Sequence, residues 1–396
     1  MIVICIFNLM SKMKNEKTGY LMYGLNKSQL LLVSILLFIT PSVFSGNLLE
    51  TWDAPEGAVL NNDFTVKVRQ TGKDWKVIPS YLIKVDEVKD TKHHVENASM
   101  AYFSFSGEVE VSVTFNRGQI ETARVRPLSY GILPQIEGNT VTFTLDCPRN
   151  LSVEVNDDIF HNLHLFANPV DEYMPDPKNK DLIYFGPGVH HVENEILKVP
   201  SGKTVYLSGG AVLMGRIVMD SVENVKVLGQ GMIYHEIKGG IRIANSKNVL
   251  VEGIITNQCA TGGSENVTIR NVKSISYYQW GDGMNVFASN NVLIDGVFCR
   301  NSDDCTTVYG TRLGFVGGCR NITTRNSALW AELAYPIFIG IHGNAARPEV
   351  LETLNYITFD NMEHKERQIE YQGCLASKSG DENLHRELRI EKTRTQ

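Results

Sequence analysis

Three acidic residues and one histidine lie close together in the last third of the 396-residue chain. Asp282 stands in the motif Trp-Gly-Asp-Gly, and Asp303 and Asp304 stand in the motif Ser-Asp-Asp-Cys. His342 follows in the motif Ile-His-Gly-Asn. Clustered carboxyl groups suit the acid–base hydrolysis of a glycosidic bond, because one group donates a proton while another deprotonates water.

The spacing of the acidic residues predicts that they share one face of the molecule. Asp303 lies 21 residues after Asp282, about one coil of a repetitive β structure. Neighbouring coils lie ~4.8 Å apart, and inverting glycosidases hold their carboxyl groups ~6.5–9.5 Å apart so that a water fits between them. Repulsion between such groups raises the pKa of one of them, which then keeps a proton to donate.

Each motif alone has an ordinary interpretation. Gly-Asp-Gly is typical of a turn, Asp-Asp of a solvated loop or of calcium ligands, and a single histidine of a structural role. The combination, with apolar segments between the motifs, favours a catalytic cluster. Calcium binding is the main competing hypothesis, and it needs more oxygen ligands than these motifs supply. We therefore predict neither a metal ion nor another cofactor.

A repeated segment runs through the part of the chain that carries these motifs. It begins with an asparagine followed by an apolar, β-forming run, and its asparagines are Asn224, Asn248, Asn266, Asn291, Asn321 and Asn355. The variable gaps of 18 to 34 residues suit a parallel β-helix, whose loops bulge outward between stacked strands. The asparagine suits a left-handed turn or a ladder of side-chain amides. A second sandwich is the alternative, but it does not explain the shared start.

The rest of the chain divides into two further parts. Residues 47–165 alternate polar and apolar positions in short runs, which predicts a β-sandwich that packs against the next domain or binds sugar. A linker rich in Pro and Asp follows, and residues 166–396 form the predicted β-helix catalytic domain. The chain is therefore predicted to be all-β.

Residues 1–45 are predicted to be a leader and signal peptide. Lys27 precedes the apolar run 30–39, and small residues suggest cleavage near Ser45. The run is shorter than the ~20 residues of a membrane span, although an N-terminal anchor is the alternative. Met13 and Met22 are alternative starts. We predict a secreted, periplasmic or cell-surface protein.

Charge and cysteine content narrow the class of partner. The net charge of −6 argues against a nucleic acid, so we predict a monomer whose partner is a polysaccharide or oligosaccharide substrate. Six cysteines follow the leader without metal-binding spacing. They are predicted to form one or two disulfides or to remain buried free thiols.

The order Gly-Asp-Gly, Asp-Asp-Cys, His-Gly resembles the signature of the polygalacturonases, glycoside hydrolase family 28. A sandwich joined to a β-helix through Asn-Pro…Pro-Asp-Pro…Tyr-Phe-Gly-Pro-Gly-Val-His resembles glycoside hydrolase family 49, the dextranase and isopullulanase group. The resemblance covers residues 47–385 or so and implies a right-handed, pectin-lyase-like β-helix with an inverting mechanism. It implies that Asp303 is the general acid, that Asp282 and Asp304 activate water, and that His342 hydrogen-bonds within the cluster.

The sequence departs from the polygalacturonase pattern at three points. Trp-Gly-Asp replaces Asn-Thr-Asp, His342 lies 39 residues after Asp303, and no clear Arg-X-Lys motif follows it. The last departure favours a neutral glycan over galacturonate. The predicted substrate-binding residues are Trp280, Tyr278, Asn344 and Arg347. Further aromatic candidates, for stacking on sugar or for core packing, are Tyr277, Trp330 and Tyr335.

Two other functions are compatible with the same fold. One is a polysaccharide lyase, which uses a basic residue to abstract a proton, and the other is a non-catalytic glycan-binding β-helix. The C-terminal segment is polar and lacks an evident capping element. We therefore predict a β-helix that is truncated at its C-terminus.

Overall fold

The computed structural model describes residues 47–89, 92–176, 178–234, 240–278, 280–340, 353–365, 375–378, 384–385 and 388–395. The predicted leader lies outside these ranges, and so do His342, Asn344 and Arg347. Within them, no helix is long and apolar enough to cross a membrane. The all-β prediction is confirmed, because the described regular elements are strands apart from the 3-10 helix Leu128–Tyr130.

The first eleven strands form the predicted β-sandwich. They are β1 (Leu48–Glu50), β2 (Phe64–Gln70), β3 (Lys76–Ile78), β4 (Tyr81–Lys89), β5 (Lys92–Ser106), β6 (Val109–Phe115), β7 (Ala123–Arg126), β8 (Gln135–Glu137), β9 (Thr140–Leu145), β10 (Arg149–Val155) and β11 (Asp158–Pro169). One sheet has the order β1-β5-β11-β10-β7, with β4 paired to β5, and the other has the order β3-β2-β6-β9-β8. Apolar side chains of both sheets form one core, in which Val66, Val111, Phe103 and Leu163 are fully buried.

The following strands form one continuous, mostly parallel array. They are β12 (Leu182–Phe185), β13 (Gly188–Lys198), β14 (Thr204–Leu207), β15 (Ala211–Asp220), β16 (Glu223–Gly229), β17 (Met232–Tyr234), β18 (Ile241–Ala244), β19 (Lys247–Glu252), β20 (Ile255–Thr256), β21 (Cys259–Gly262), β22 (Glu265–Arg270), β23 (Lys273–Ile275), β24 (Met284–Phe287), β25 (Asn290–Asp295), β26 (Phe298–Asn301), β27 (Thr306–Tyr309), β28 (Cys319–Arg325), β29 (Ala328–Ala331), β30 (Ile337–Gly340), β31 (Thr353–Lys365), β32 (Leu375–Lys378), β33 (Leu384–His385) and β34 (Leu388–Thr395).

These strands stack into three parallel sheets, as in a right-handed parallel β-helix, so that prediction is confirmed. The first stack contains β12, β14, β16, β19, β22, β25 and β28. The second contains β17, β20, β23, β26 and β29, and the third contains β18, β21, β24, β27, β30 and β32. The chain visits the first, second and third stacks in turn on each coil. The long strands β15 and β31 each pair with two stacks.

The repeated asparagine marks the start of each coil. Asn224, Asn248, Asn266, Asn291 and Asn321 all have φ between 55° and 57°. From Asn248 onward, each side-chain amide donates to the asparagine of the preceding coil, at 2.8–3.2 Å. Asparagine tolerates this left-handed conformation better than other residues with a Cβ atom. The position therefore serves both functions that the sequence predicts, a left-handed turn and an amide ladder.

The sixth repeat differs from the alignment made on sequence. In the pairing of β28 with β31, Ile322 aligns with Ile357 and Arg320 with Asn355. The partner of Asn321 is therefore Tyr356, which has φ of 56°. The alignment on Asn355 was wrong by one residue, because the next residue must occupy the left-handed position to keep Ile357 in the core.

The described cysteines after the leader are free thiols. Cys259, Cys299, Cys305 and Cys319 are buried, and Cys147 is half-buried. Burial raises the pKa of the Cys259 thiol to about 12. Disulfides and buried free thiols were the two predicted alternatives, and these five cysteines are free thiols.

The sandwich packs on the second stack of the β-helix. Tyr102 and Phe166 of the sandwich share an apolar cluster with Ile255 and Phe298 of the second stack. The Tyr102 hydroxyl oxygen also accepts a hydrogen bond from the backbone N–H of Gly210 at 2.9 Å.

Two buried cations of the second stack reach into the sandwich through this apolar surface. Arg300 is fully buried, pairs with Glu332 at 2.7 Å and donates to Asn162 of β11 at 2.9 Å. Lys273 is also fully buried and donates to Asn168 of β11 at 2.5 Å. Burial lowers the pKa of Lys273 to about 7. Removing the partner of a buried charge is strongly destabilising, so these contacts hold the sandwich in one position.

We expect Asn291→Ala to lower the free energy of unfolding by ~1–2 kcal/mol, because alanine is unfavourable in the left-handed conformation and cannot join the ladder. Asn291→Gly keeps the backbone conformation and loses only the amide, so its loss should be smaller. Urea unfolding of both variants measures the difference. Equal losses would contradict a conformational role for this position.

Candidate active site

The acidic residues lie in loops that lead from the second stack to the third. Asp282 lies between β23 and β24, and Asp303 and Asp304 lie between β26 and β27, one coil later. The backbone N–H of Gly283 donates to the carbonyl of Asp304 at 2.8 Å, and β24 pairs in parallel with β27. This register aligns Asp282 with Asp304. Paired positions on these two coils are one residue farther apart in the sequence than Asp282 and Asp303 are. Asp304 is therefore the direct neighbour of Asp282.

Two glycines allow the Asp282 loop to lie directly on the next coil. A Cβ atom on Gly283 would lie 2.4 Å from the carbonyl oxygen of Cys305, and one on Gly281 would lie 2.3 Å from Oγ of Ser302. No side chain fits at such distances. The Gly-Asp-Gly motif is thus explained by close approach of two backbones.

A buried network of hydroxyl and amide groups joins the two acid-bearing loops. The side chain of Asn301 donates to Oγ of Ser274 and to Oγ of Ser276, both at 3.0 Å. The backbone N–H of Ser302 donates to Oγ of Ser276 at 3.1 Å, and the Ser276 hydroxyl donates to the carbonyl of Gly281. The residues before Asp303 therefore fix the residues before Asp282.

Asp304 is the most buried of the three acids, with 5% of its surface exposed. One carboxylate oxygen accepts a hydrogen bond from the Tyr309 hydroxyl at 3.0 Å, and the other accepts one from the backbone N–H of Tyr335 at 2.9 Å. A carboxylate has about four acceptor sites. Each oxygen of Asp304 thus keeps a site for a water or a substrate hydroxyl.

Asp282 and Asp303 are half-buried and have fewer protein donors in the described structure. Asp282 accepts from the side-chain amide of Asn285 at 2.6 Å, and Asn285 is itself fixed by the Thr307 hydroxyl at 2.9 Å. Asp303 accepts from the backbone N–H of Asp304 at 3.0 Å. Each of these two acids therefore combines partial exposure with a single described donor, whereas Asp304 is buried with two.

Desolvation raises the pKa of all three carboxyl groups. The pKa of Asp282 rises to about 7, because repulsion by Asp303 adds to its burial. The pKa of Asp304 rises to about 8, through burial and repulsion by Asp303 and Asp282. Burial also raises the pKa of Asp303. The cluster therefore retains a proton near neutral pH, the condition that acid catalysis by a carboxyl group requires.

Two basic residues act against this rise, and the sequence analysis missed both. Arg312 lowers the pKa of Asp282 and of Asp303, and its guanidinium lies 5.3 Å from the centre of the Tyr309 ring. His93, when protonated, lowers the pKa of Asp303. His93 belongs to the sandwich, so the acids are surrounded by groups from both parts of the molecule.

The hairpin of β4 and β5 carries His93 to the acids. Asp86 on β4 is fully buried, and its carboxylate lies 2.5 Å from Nδ1 of His93 on β5. Farther along β4, the Lys84 ammonium lies 5.0 Å from the centre of the Tyr277 ring. Tyr277 stands in the loop that leads to Asp282. The hairpin therefore lies beside the acid-bearing loops.

The predicted aromatic residues have different environments. Trp280 is 72% exposed, in a left-handed backbone conformation next to the Asp282 turn. Tyr278 is half-buried, with its ring at 6.0 Å from that of Tyr277. Trp330 is buried and lies 4.0 Å from the Arg300 guanidinium, so it is a core residue. Tyr335 packs on Phe338 at 4.8 Å and supplies the backbone donor to Asp304.

Asn285 and Tyr309 are the other contributors that sequence analysis missed. Asn285 follows Asp282 by three residues and Tyr309 follows Asp304 by five, and each lies on a strand of the third stack. For Asn285 the available signal was one polar side chain in the otherwise apolar strand β24, whereas β27 carries two threonines and gives no such contrast for Tyr309. In the described ranges, no group of three or more His, Cys, Asp or Glu residues is arranged to hold a metal ion.

Comparisons with known proteins support the fold. No protein-family model matches the chain, and a comparison with curated proteins found no match. Among solved structures, Dex49A from Penicillium minioluteum matches 81% of this chain and 76% of its own, with a TM-score of 0.58 and 15% identity. For a family 28 exopolygalacturonase from Yersinia enterocolitica, the alignment covers 72% of this chain and 84% of the exopolygalacturonase, with a TM-score of 0.38 and 11% identity. For an endo-xylogalacturonan hydrolase from Aspergillus tubingensis, the alignment covers 54% of this chain and 84% of the hydrolase, with a TM-score of 0.33 and 12% identity. The likeness to Dex49A shows a shared fold.

The raised pKa values predict how stability depends on pH. The folded chain binds more protons than the unfolded chain between the ordinary pKa of an aspartate and the values of about 7 and about 8 for Asp282 and Asp304. Stability should therefore fall as pH rises through this window. Asp304→Asn removes one such group, so its melting temperature should fall less from pH 5 to pH 8.

Asp295→Asn is the matched control, because Arg325 and Asn326 hold the pKa of Asp295 below its ordinary value. That substitution should not flatten the pH profile. Parallel profiles of the wild type and Asp304→Asn would contradict the electrostatic interpretation.

Proposed function

We propose that the chain is an inverting glycoside hydrolase that acts on a polysaccharide. The observation that carries the proposal is the cluster of Asp282, Asp303 and Asp304 on consecutive coils. Its fold, shared with Dex49A, is compatible with this function but does not decide it. The exposed Trp280 beside the cluster supports a sugar substrate, because a pyranose ring stacks on an indole face.

The proposed roles follow from accessibility and hydrogen bonding. Asp303 keeps an accessible oxygen and donates its proton to the glycosidic oxygen as the bond to the anomeric carbon breaks. Asp282 and Asp304, aligned on adjacent coils, hold one water, and the ionised member of this pair takes its proton while its oxygen attacks the anomeric carbon from the opposite face. These roles require the proton shared within the coupled cluster to lie on Asp303 at the moment of reaction. Asn285 and Tyr309 hold these two carboxyl groups in place.

A neutral glycan is the proposed substrate class. The acids give the described site a surplus of negative charge, and its basic residues, Arg312 and His93, already interact with the acids. A uronate would have to compete for these cations. The choice between dextranase-like and polygalacturonase-like activity is tested by reducing-end release from dextran, pullulan, plant glycans and pectins, with the anomeric configuration of the first product read by NMR. Unsaturated products absorbing in the ultraviolet would instead identify a lyase.

We expect Asp303→Asn to lower kcat by ~10²–10⁴-fold, the usual contribution of a positioned acid, with a melting temperature at neutral pH no lower than that of the wild type. Asp220→Asn is the matched control, since Asp220 is an exposed acid on β15 at the surface of the same β-helix. Its activity should equal that of the wild type. If Asp303→Asn keeps full activity on every substrate that the wild type cleaves, the hydrolase assignment to this cluster is wrong.

His93→Ala should move the alkaline limb of the pH–activity profile upward by as much as ~1 pH unit. The physical reason is that the imidazolium lowers the pKa of Asp303, so its removal lets the acid stay protonated to higher pH. His94→Ala changes an exposed neighbour on the same strand and should leave the limb in place. A downward shift would contradict the proposed pairing of His93 with the proton donor.

A further inference from the structure

A cavity of about 400 Å³ lies at the opposite edge of the second stack from the acids. It is formed by the segment after β1, the linker between β11 and β12, and the turns that follow β14 and β16. The acids occupy the loops between the second and third stacks, whereas these turns lie between the first and second stacks. Because the sandwich covers the second stack between the two places, the cavity is separate from the acidic cluster.

Aromatic rings form part of the cavity wall and are held in fixed orientations. The Trp52 ring lies so close to the Gly209 backbone that a Cβ there would be 2.0 Å from it, and it stacks on Tyr102 at 5.5 Å. Tyr173 packs on Tyr206 at 5.5 Å. Trp52, Tyr173 and Tyr206 all line the cavity, which provides flat apolar surfaces.

The polar lining includes two carboxyl groups, those of Glu50 and Asp171. Glu50 and Asp171 face each other closely enough that repulsion by Asp171 adds to burial in raising the pKa of Glu50. Asp171 already accepts a hydrogen bond from the Tyr206 hydroxyl at 2.8 Å. Lys76 and Ser208 supply donors at the wall.

Gln230 gives an independent indication of a ligand. It lines the cavity and is 6% exposed, and its Nε2 donates weakly to the carbonyl of Pro169 at 3.5 Å. Its buried Oε1 has no hydrogen-bond donor in the described part of the chain. A buried acceptor without a donor costs ~1–3 kcal/mol, and a turn of the side-chain amide towards the cavity would let a ligand hydroxyl remove that cost.

We infer that this cavity is a second carbohydrate-binding site, which takes a neutral pyranosyl unit of the polysaccharide. Sugar hydroxyls donate to Glu50 and Gln230 and to the remaining acceptor sites of Asp171, and the apolar face of the ring covers Trp52 or Tyr173. The inference rests on the proposed function for its choice of ligand. Its role is to hold a polymer chain on the surface while another segment occupies the acidic cluster.

The test is calorimetric titration of the Asp303→Asn protein, which prevents turnover, with isomaltotriose, maltotriose, cellotriose and xylotriose. We expect at least one of them to bind, with affinity that falls about 10-fold in Tyr173→Ala and also falls in Gln230→Leu. Tyr184→Ala is the matched control, because Tyr184 stacks on Tyr206 at 5.9 Å without lining the cavity. Its affinity should be unchanged.

The same titration with Trp280→Ala separates the two sites. Binding that survives Trp280→Ala but is weakened by Tyr173→Ala supports the second site. The inference is overturned if none of the four saccharides binds at millimolar concentration. It is also overturned if the affinity is the same in Tyr173→Ala and Gln230→Leu as without them. Failure of the proposed function would be seen differently, as a wild-type protein that hydrolyses none of the glycans. The binding result at the cavity would still stand in that case.

Discussion

The parallel register between consecutive coils is the constraint on which the rest of the structure depends. Residues that align across two coils lie ~4.8 Å apart, and a slip of one residue turns every side chain to the other face. The amide ladder and the aligned aliphatic residues, such as Val249, Val267 and Val292, fix that register. Asp282 and Asp304 become neighbours as a consequence, although neither contributes to the apolar core.

This arrangement explains how an unfavourable group of acids persists. Three carboxyl groups in a partly buried place repel one another and lose hydration, so the cluster is a source of instability. The β-helix tolerates it because backbone hydrogen bonds and the Ser276–Asn301 network fix the loops independently of the acids. A stable scaffold can therefore hold functional groups in an electrostatically strained arrangement.

Much of the fold could be predicted from the sequence because its signals are local. A repeated Asn before Val or Ile indicates a left-handed backbone position followed directly by a core residue. Both signals lie within three residues of sequence, so the β-helix was predictable. The final repeat was misaligned because Tyr356 occupies a position where asparagine is usual, and local resemblance favoured Asn355. The acids were likewise found through their spacing, but the alignment of Asp282 with Asp304 depends on loop length. His93 was not predictable, since about 200 residues separate it from Asp303 and only the docking of the sandwich brings them together.

The buried cations beneath the sandwich have a consequence for evolutionary history. Many carbohydrate-active proteins exchange accessory modules through flexible tethers, and such modules leave their host undisturbed when they are lost. Loss of the sandwich here would instead remove the β11 partners of Arg300 and Lys273 and expose the apolar surface around Ile255 and Phe298 to water. A shortened descendant would therefore need another cover for the second stack.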